Sequence, residues 1–288
     1  MHLGSLLAAV GSYLAARRLG GRWLLRIDDL DPPRVVPGAA DAILHSLQAH
    51  GLLWDGEVLY QSRRAAAYRA ALEQLRDAGL TYACACTRRE LAAIARAGVD
   101  GPVYPGTCRA GPAPGHPARA VRLRVPDAEI GFRDAVQADY GHNLAGAVGD
   151  FVLQRADGLI AYQLATVVDD AFQAVTQVVR GVDLLASTPR QIHLQQCLGL
   201  PPPDYAHLPL LVDRQGMKLG KQTGAGPLDD RHASANLRQV LAALALPPPA
   251  DLLGAPPAEL LRWATTHWKP ARLAGQTAIR TQDIPAMP

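Results

Sequence analysis

Lysine is nearly absent from this chain. Of its 29 lysines and arginines, only Lys218, Lys221 and Lys269 are lysines. Aromatic residues make up 5%, and there are 4 cysteines in 288 residues. So few cysteines exclude a disulfide-built scaffold. No run of about 18 apolar residues occurs, so no membrane-spanning helix is expected. The N-terminus lacks a basic stretch followed by an apolar one, so no secretory signal is expected either. The default reading is a cytoplasmic protein with no membrane partner. Strong charge of either sign is also missing, the formal net charge being +3. That balance is compatible with RNA contact without requiring it. What is present is apolar: hydrophobic residues reach 49%, which excludes global disorder. The length suits one large α/β domain, or a core with small satellites.

The pattern along the chain reads as crossover units over a parallel sheet. Leu3, Leu6, Leu7, Val10 and Leu14 recur at spacings of three and four, predicting a helix over 3–19 that ends at Gly20-Gly21. Trp23 to Ile27 reads as a buried strand running into a polar cluster, Asp28 to Arg34. Helices follow near 38–50 and 63–78, the second with Ser62 as its N-cap. Thr87-Arg-Arg-Glu90 is a capping box. Ala120 to Val125 alternates as a strand, and Phe151–Arg155 with Leu159–Gln163 flank Asp157-Gly158 as a hairpin. A strand is expected over Val175–Val179, a helix from Ser187/Thr188 through Cys197, and a strand over Leu208–Val212 before a turn at Asp213–Gly216. No internal repeat occurs, and mostly helical segments close the chain.

Several clusters can carry chemistry, each with a plainer alternative. Met1-His2-Leu3-Gly4-Ser5 stands at the mouth of the first helix, where backbone N–H groups and the helix dipole attract anions. Gly4 would let a phosphate or an adenine ring approach closely, and His2 could donate to a phosphate oxygen. The alternative is an ordinary helix cap. Met217-Lys218-Leu219-Gly220-Lys221 holds two of the scarce lysines behind a turn, suited to charge developing on a leaving pyrophosphate. The alternative is a solvated loop, weakened because other surface cations here are arginines. Cys84, Cys86 and Cys108 cluster in sequence, with Tyr104 four residues before Cys108. Three thiolates and a phenol oxygen could complete a tetrahedral zinc site; buried free cysteines are the alternative. Arg26-Ile27-Asp28-Asp29-Leu30-Asp31 places carboxylates at a strand's C-terminal end, the edge where open α/β sheets bind ligands. A carboxylate there can hold an ammonium. Tyr162 also sits at an element end, and Arg180 could clamp a carboxylate. A structural ion-pair network is the alternative.

Taken together, these pieces resemble the glutamate subgroup of class I aminoacyl-tRNA synthetases. His2-Leu-Gly-Ser5 resembles the first signature and Met217-Lys-Leu-Gly-Lys221 the second, Lys-Met-Ser-Lys-Ser-like one. Arg26 to Arg34 resembles the acidic strand-end motif, while Tyr162-Gln-Leu-Ala165, Val168-Asp-Asp170 and Val179-Arg-Gly-Val-Asp183 fit the second half of the sheet. Cys84-x-Cys86, Tyr104-Pro-Gly-Thr-Cys108-Arg109 and a short C-terminal part resemble a branch that glutamylates the queuosine base in the anticodon of tRNA(Asp). The resemblance implies an α/β, Rossmann-type catalytic core with a zinc-containing insert and a mostly helical C-terminal part. It implies a first half over 1–79, an insert over 80–150, a second half over 151–200, and a stem-contact-like helical region over 201–288, without an anticodon-binding domain. It implies ATP contacts from His2, Gly4, Ser5, Lys218 and Lys221, and L-glutamate contacts from Asp28, Tyr162 and Arg180. It implies one structural zinc ion held by Cys84, Cys86, Tyr104 and Cys108, ATP with Mg2+ as substrate, no covalent catalytic residue, and a monomer. Two other readings remain: a truncated glutamyl-tRNA synthetase charging the 3′ end of tRNA, and an inactive zinc-stabilised tRNA-binding remnant.

The chain departs from the subgroup's pattern at several places. The subgroup begins with an Arg-bearing strand and an Ala-Pro-Ser-Pro-type loop before the first signature. That strand is expected to be missing here, through a miscalled start or truncation, leaving the chain as written poorly stable and weakly active or inactive. Asp28 stands where Glu is usual and Gly220 where Ser is usual. Ala171 replaces a frequent His and Ala174 a frequent Gly.

Overall fold

The computed structural model describes residues 1–220 and 226–284. From the N-terminus, α1 (Leu3–Arg18) leads to β1 (Arg26–Ile27), α2 (Ala39–Ala49), β2 (Leu59–Tyr60) and α3 (Ala65–Asp77). A middle stretch carries β3 (Thr81–Cys84), α4 (Arg88–Ile94), β4 (Ala97–Gly98), β5 (Gly101–Pro102), β6 (Ala120–Leu123), β7 (Glu129–Asp134), β8 (Ala138–Asn143) and the single turn α5 (Leu144–Ala147). Then come β9 (Val152–Gln154), α6 (Tyr162–Phe172), β10 (Gln177–Gly181), α7 (Thr188–Leu198), β11 (Asp204–Leu208) and β12 (Leu210–Val212). After the second signature lie α8 (Ala233–Ala243), α9 (Pro257–His267) and β13 (Ala278–Arg280). No helix among the described residues is long and apolar enough to cross a membrane.

The α1 stripe behaves as its spacing predicts. Leu6, Leu7, Val10 and Leu14 are all buried, in one cluster with Leu237 and Leu241 of α8 and Leu260 and Leu261 of α9. Burying each such side chain is worth about 1.5–3 kcal/mol, so this stripe outweighs any surface ion pair nearby. Gly11 sits on the same face. A Cβ there would stand 2.3 Å from Leu208 Cδ1, so glycine lets α1 lie directly on β11. A second cluster joins Leu72 and Leu75 of α3, Leu164 and Val167 of α6, and Leu194 and Leu198 of α7 to the sheet formed by β3, β6 and β9.

The main sheet runs β10–β11–β7–β8, with β10, β11 and β7 parallel and β8 antiparallel. Nothing in the residue pattern foretold β7 and β8, because Gly131 and Gly141 break the alternation. The two glycines face each other across the hairpin, where a Gly141 Cβ would meet Gly131 Cα at 2.8 Å.

Four local expectations are corrected. The strand over Trp23–Ile27 shortens to Arg26–Ile27, because the Asp55 carboxylate takes the Trp23 N–H that a strand partner would have received. Ser62 does not cap α3; its N–H and hydroxyl both donate to Asp29, at 2.8 and 2.6 Å, and the helix begins at Ala65. The second arm of the Asp157-Gly158 hairpin contributes only a bridge at Ile160 before Tyr162 starts α6. The strand over Leu208–Val212 is two strands. Pro209 has no N–H for a ladder, and the chain changes partner there, from β10 and β7 to β13. The Thr87 capping box forms as read, with its hydroxyl accepting the Glu90 N–H.

Ala174 explains why β10 starts late. It ends α6 in the left-handed region, φ 51°, and the chain becomes regular again only at Gln177. An L side chain there costs roughly 1–2 kcal/mol, partly offset by the greater freedom glycine would have when unfolded. Ala174→Gly is therefore expected to stabilise the protein by about 1 kcal/mol, read as a raised midpoint of thermal or urea unfolding.

Candidate active site and metal cluster

A cavity of about 570 Å3 opens at the C-terminal ends of the parallel strands β10 and β11, beside the run Trp23–Arg26 that leads into β1, within the range of small-molecule sites. His2, Gly4 and Ser5 line it from the mouth of α1, and Arg26 from β1. Arg180 and Gly181 line it from the end of β10, followed by Asp183. Lys218 enters from the turn beyond β12. The structure thus brings together His2, Gly4, Ser5, Arg180 and Lys218. Asp28 and Tyr162 do not line this cavity. Asp28 is exposed and reaches it through Arg26, whose Nε donates to Asp28 Oδ1 at 2.8 Å. Tyr162 is the half-exposed first residue of α6. Lys221 lies outside the described residues.

His2 is the N-cap of α1. Its Nδ1 accepts the Ser5 N–H at 3.2 Å, so in the neutral ring Nε2 carries the proton and donates to Ser5 Oγ at 2.9 Å. A Cβ on Gly4 would stand 3.5 Å from the Leu219 carbonyl oxygen, an ordinary contact distance, so the mouth of α1 lies beside the lysine-bearing turn. Lys218 Nζ lies 2.6 Å from Asp183 Oδ2 in a half-exposed pair worth at most about 1 kcal/mol.

The acidic residues divide their work. Arg26 spans the site, with Nη1 2.5 Å from Asp170 Oδ1 while Nε holds Asp28. Burial pushes the Asp170 carboxyl above its ordinary range, and the Arg26 charge opposes that rise. Asp169, its neighbour, is fully buried and faces the other way. It accepts from Arg64 Nε, Tyr68 OH and Gln61 Nε2 at 2.5, 2.6 and 3.0 Å, tying α6 to α3. Asp31 pairs with Arg34 and with Arg155. At the strand end, the contacts of Asp28, Asp29 and Asp31 are those of an ion-pair and hydrogen-bond network within the chain.

Arg180 is held from behind. Its Nη2 donates to Thr188 Oγ1 at 2.9 Å and to Gln191 Oε1 at 2.8 Å, and its Nε donates to His207 Nε2 at 3.1 Å. His207 in turn lies 2.6 Å from Asp134, both side chains being fully buried. Sequence reading missed Arg26, Asp183, Asp134 and His207 as parts of the site. Arg26 and Asp183 stood inside quoted motifs; a lone histidine in an apolar strand carries no signal of its own.

The cysteines form a second cluster. The Sγ atoms of Cys84, Cys86 and Cys108 lie within 4.8 Å of one another. Tyr104 OH is 3.5 Å from Cys84 Sγ and 3.7 Å from Cys86 Sγ, and Cys86 Sγ is 3.5 Å from Cys108 Sγ. These are close to the edges of a tetrahedron drawn around a small thiophilic ion. Arg122 Nε donates to Cys84 Sγ at 3.3 Å, bringing positive charge to the thiol cluster. Burial works to raise the Cys108 thiol. The Ala85 N–H and the Tyr104 hydroxyl outweigh it and pull Cys108 down to about 7, the range in which a thiolate ligand forms readily. Gly149 holds Tyr104 in place: at φ 72° its missing Cβ would meet the Tyr104 carbonyl oxygen at 2.3 Å. The chemistry and spacing of these donors fit a bound metal ion.

Residues 1–236 match the family described as tRNA synthetases class I (E and Q), catalytic domain. The chain belongs to this family. Among relatives, it is 57% identical over 268 residues to a protein of Thiobacillus denitrificans named glutamyl-Q tRNA(Asp) synthetase, covering 93% of this chain and 89% of that one. A protein of the same name from Chromobacterium violaceum is 55% identical over 273 residues, covering 95% of this chain and 91% of that one. The fold is that of a glutamate-tRNA synthetase from Elizabethkingia anophelis, with a TM-score of 0.79 at 24% identity. That likeness covers 97% of this chain but only 65% of the longer one, so the chain spans just under two thirds of that structure's length. The expected α/β class I synthetase fold is thereby established.

The cysteine cluster can be tested directly. Cys108→Ser replaces a thiolate by a hydroxyl that stays protonated at neutral pH. Metal bound per chain, measured by atomic emission after purification, is expected to fall severalfold, with a lower unfolding midpoint. Unchanged metal content would show that Cys108 is not a ligand.

Proposed function

We propose that this synthetase activates L-glutamate with ATP and transfers it to the queuosine base in the anticodon of tRNA(Asp). The observation that carries this reading is the 57% identity over 93% of the chain to a protein named for that reaction. In the first step the glutamate α-carboxylate oxygen attacks the α-phosphorus of ATP. The bond to the β-phosphate oxygen breaks, and pyrophosphate leaves. In the second step a hydroxyl of the modified base attacks the activated acyl carbon, and AMP leaves.

The cavity residues are suited to positioning and charge neutralisation, with no covalent help from a side chain. His2, Gly4 and Ser5 form the nucleotide side, where the N-terminus of α1 favours phosphate. Lys218 and Lys221 neutralise the departing pyrophosphate. Lys218 exchanges Asp183 for phosphate oxygens as charge builds. Mg2+ accompanies the ATP. Arg180 clamps a glutamate carboxylate, while Asp28 and Tyr162 serve the ammonium side. Asp28 is one methylene shorter than the Glu usual there, and Arg26 already engages it. Asp170, shared with Arg26, adds negative charge on the same side.

The metal of the cysteine cluster is read as zinc, held by Cys84, Cys86, Cys108 and the Tyr104 oxygen. Such a donor set leaves no open position, so the ion supplies folding energy to the insert over 80–150 rather than reaction chemistry. The expected divisions at 150 and 200 need redrawing, because the main sheet takes β7 and β8 from within 80–150 and β11 from the stretch over 201–288 that carries the second signature.

The decisive measurement is ATP–pyrophosphate exchange with glutamate in the absence of tRNA, followed by transfer of labelled glutamate to tRNA(Asp) with and without queuosine. Exchange without tRNA is expected. Label should appear only on queuosine-containing tRNA and should stay in the anticodon-loop fragment after the 3′ end is removed. Label on the 3′ adenosine would replace this reading with a glutamyl-tRNA synthetase, and no exchange at all would replace it with a binding remnant.

A further inference from the structure

We propose that His207 is a positioning residue for Arg180: oriented by Asp134, it turns the open end of the Arg180 guanidinium toward the cavity to receive a carboxylate. This rests on the reading above, in which the cavity takes glutamate.

The argument begins at Asp134, the last residue of β7. Its Oδ1 accepts the N–H groups of Val136, Gln137 and His207 at 2.9, 2.8 and 3.1 Å. Hydrogen bonds from His207 and these backbone groups hold the carboxyl below its ordinary range, although burial works to raise it. An ionised carboxylate only accepts, so its Oδ2, 2.6 Å from His207 Nδ1, requires the proton to be on Nδ1. In the neutral ring that leaves Nε2 as a bare acceptor. Burial favours the neutral ring and so does the Arg180 charge, while Asp134 and the more remote Asp183 oppose them. Arg180 Nε meets that acceptor at 3.1 Å.

The register of the sheet makes the contact possible. Arg180 of β10 is paired with His207 of β11, and β11 is joined to β7 beside Asp134. The imidazole cannot easily turn over. Tyr205 stacks on it with an interplanar angle of 14°, and Phe132 is tilted against both the imidazole and Tyr205. With Nη2 engaged by Thr188 and Gln191, the protein-side edge of the guanidinium is filled. Among the described residues Nη1 makes no hydrogen bond, and Arg180 lines the cavity. A charged donor presented in this way pays little further entropy on closing around a carboxylate. Thr188 Oγ1 also lies 3.2 Å from Nε2. A protonated His207, or one with its proton on Nε2, would give that proton to Thr188 and leave a donor facing Arg180 Nε, turning Arg180 aside.

Two variants separate this role from simple packing. His207→Asn can still donate toward Asp134 but is too short to accept from Arg180. His207→Gln can place its amide oxygen near the position of Nε2. In glutamate-dependent ATP–pyrophosphate exchange, H207N is expected to raise KM for glutamate about tenfold, the effect of losing one hydrogen bond to a charged group, while KM for ATP stays within about twofold. H207Q is expected to recover most of the loss. Should H207N fail to fold, 15N NMR of the wild-type imidazoles at neutral pH reads the same point, expecting protonated Nδ1 and bare Nε2 at His207, assigned by its absence in H207Q. Four results overturn the proposal: an unchanged glutamate KM in H207N, a parallel rise for ATP, a loss that H207Q does not relieve, or the opposite tautomer. A wild-type enzyme without glutamate-dependent exchange would instead defeat the underlying reading of the cavity.

Discussion

Helix α1 has to bury one apolar stripe against two partners, the main sheet below it and the α8–α9 pair beside it. Much else follows from that constraint. Gly11 brings the helix axis down onto Leu208, and this sets how closely the mouth of α1 approaches the ends of β10 and β11. The same mouth lies against the Leu219 carbonyl. The first and second signatures, more than 200 residues apart in the chain, come to face one cavity because a single helix is packed on both sides. The C-terminal helices are thus part of the frame of this cavity, although none of their side chains lines it.

The second organising force is the cost of burying charge. Carboxylates removed from water need several partners each, and the chain supplies them with arginine, tyrosine and backbone N–H groups. Asp169 collects Arg64, Tyr68 and Gln61; Asp150 collects Arg109, Tyr82 and the Val125 N–H; Asp134 collects His207 and its local backbone. Arginine suits this task because its planar fork satisfies two acceptors at once. That accounts for much of the scarcity of lysine, and it is consistent with Lys218 at the cavity having a different task from the arginines.

Much of the helical frame was legible in the residues. Spacing located α1, α2, α3 and α7 to within about two residues, because each carries one apolar face and polar punctuation at its ends. Of the parallel strands near the site, β1 and β10 were legible as short apolar runs displaced by two or three residues, while β11 was not read, the expected strand over Leu208–Val212 sharing only Leu208 with it. The β7–β8 hairpin was not, since its glycines interrupt the alternation that identifies a strand. Within the site, motif residues such as His2, Arg180 and Lys218 were singled out by type and position. Asp134 and His207 were invisible, because their pairing spans β7 and β11 and neither residue stands in a motif. The cysteines and Tyr104 were legible as a set, since three thiols and a phenol close in sequence have few other uses.

The sequence by itself determined what kinds of groups were available and in what order: an anion-friendly helix start, a strand ending in carboxylates, a sulfur cluster and two lysines behind a turn. These depend on local chemistry and short spacing, which survive any global arrangement. Only the tertiary structure decided which of several like residues does which job. Asp169 and Asp170 are adjacent and chemically identical, yet helical rotation sends one into the core against Arg64 and the other toward Arg26 at the strand end. Asp28 and Asp29 part in the same way, one to Arg26 and the other to Ser62. A side chain's role is set by what packs against it, and those neighbours come from distant parts of the chain.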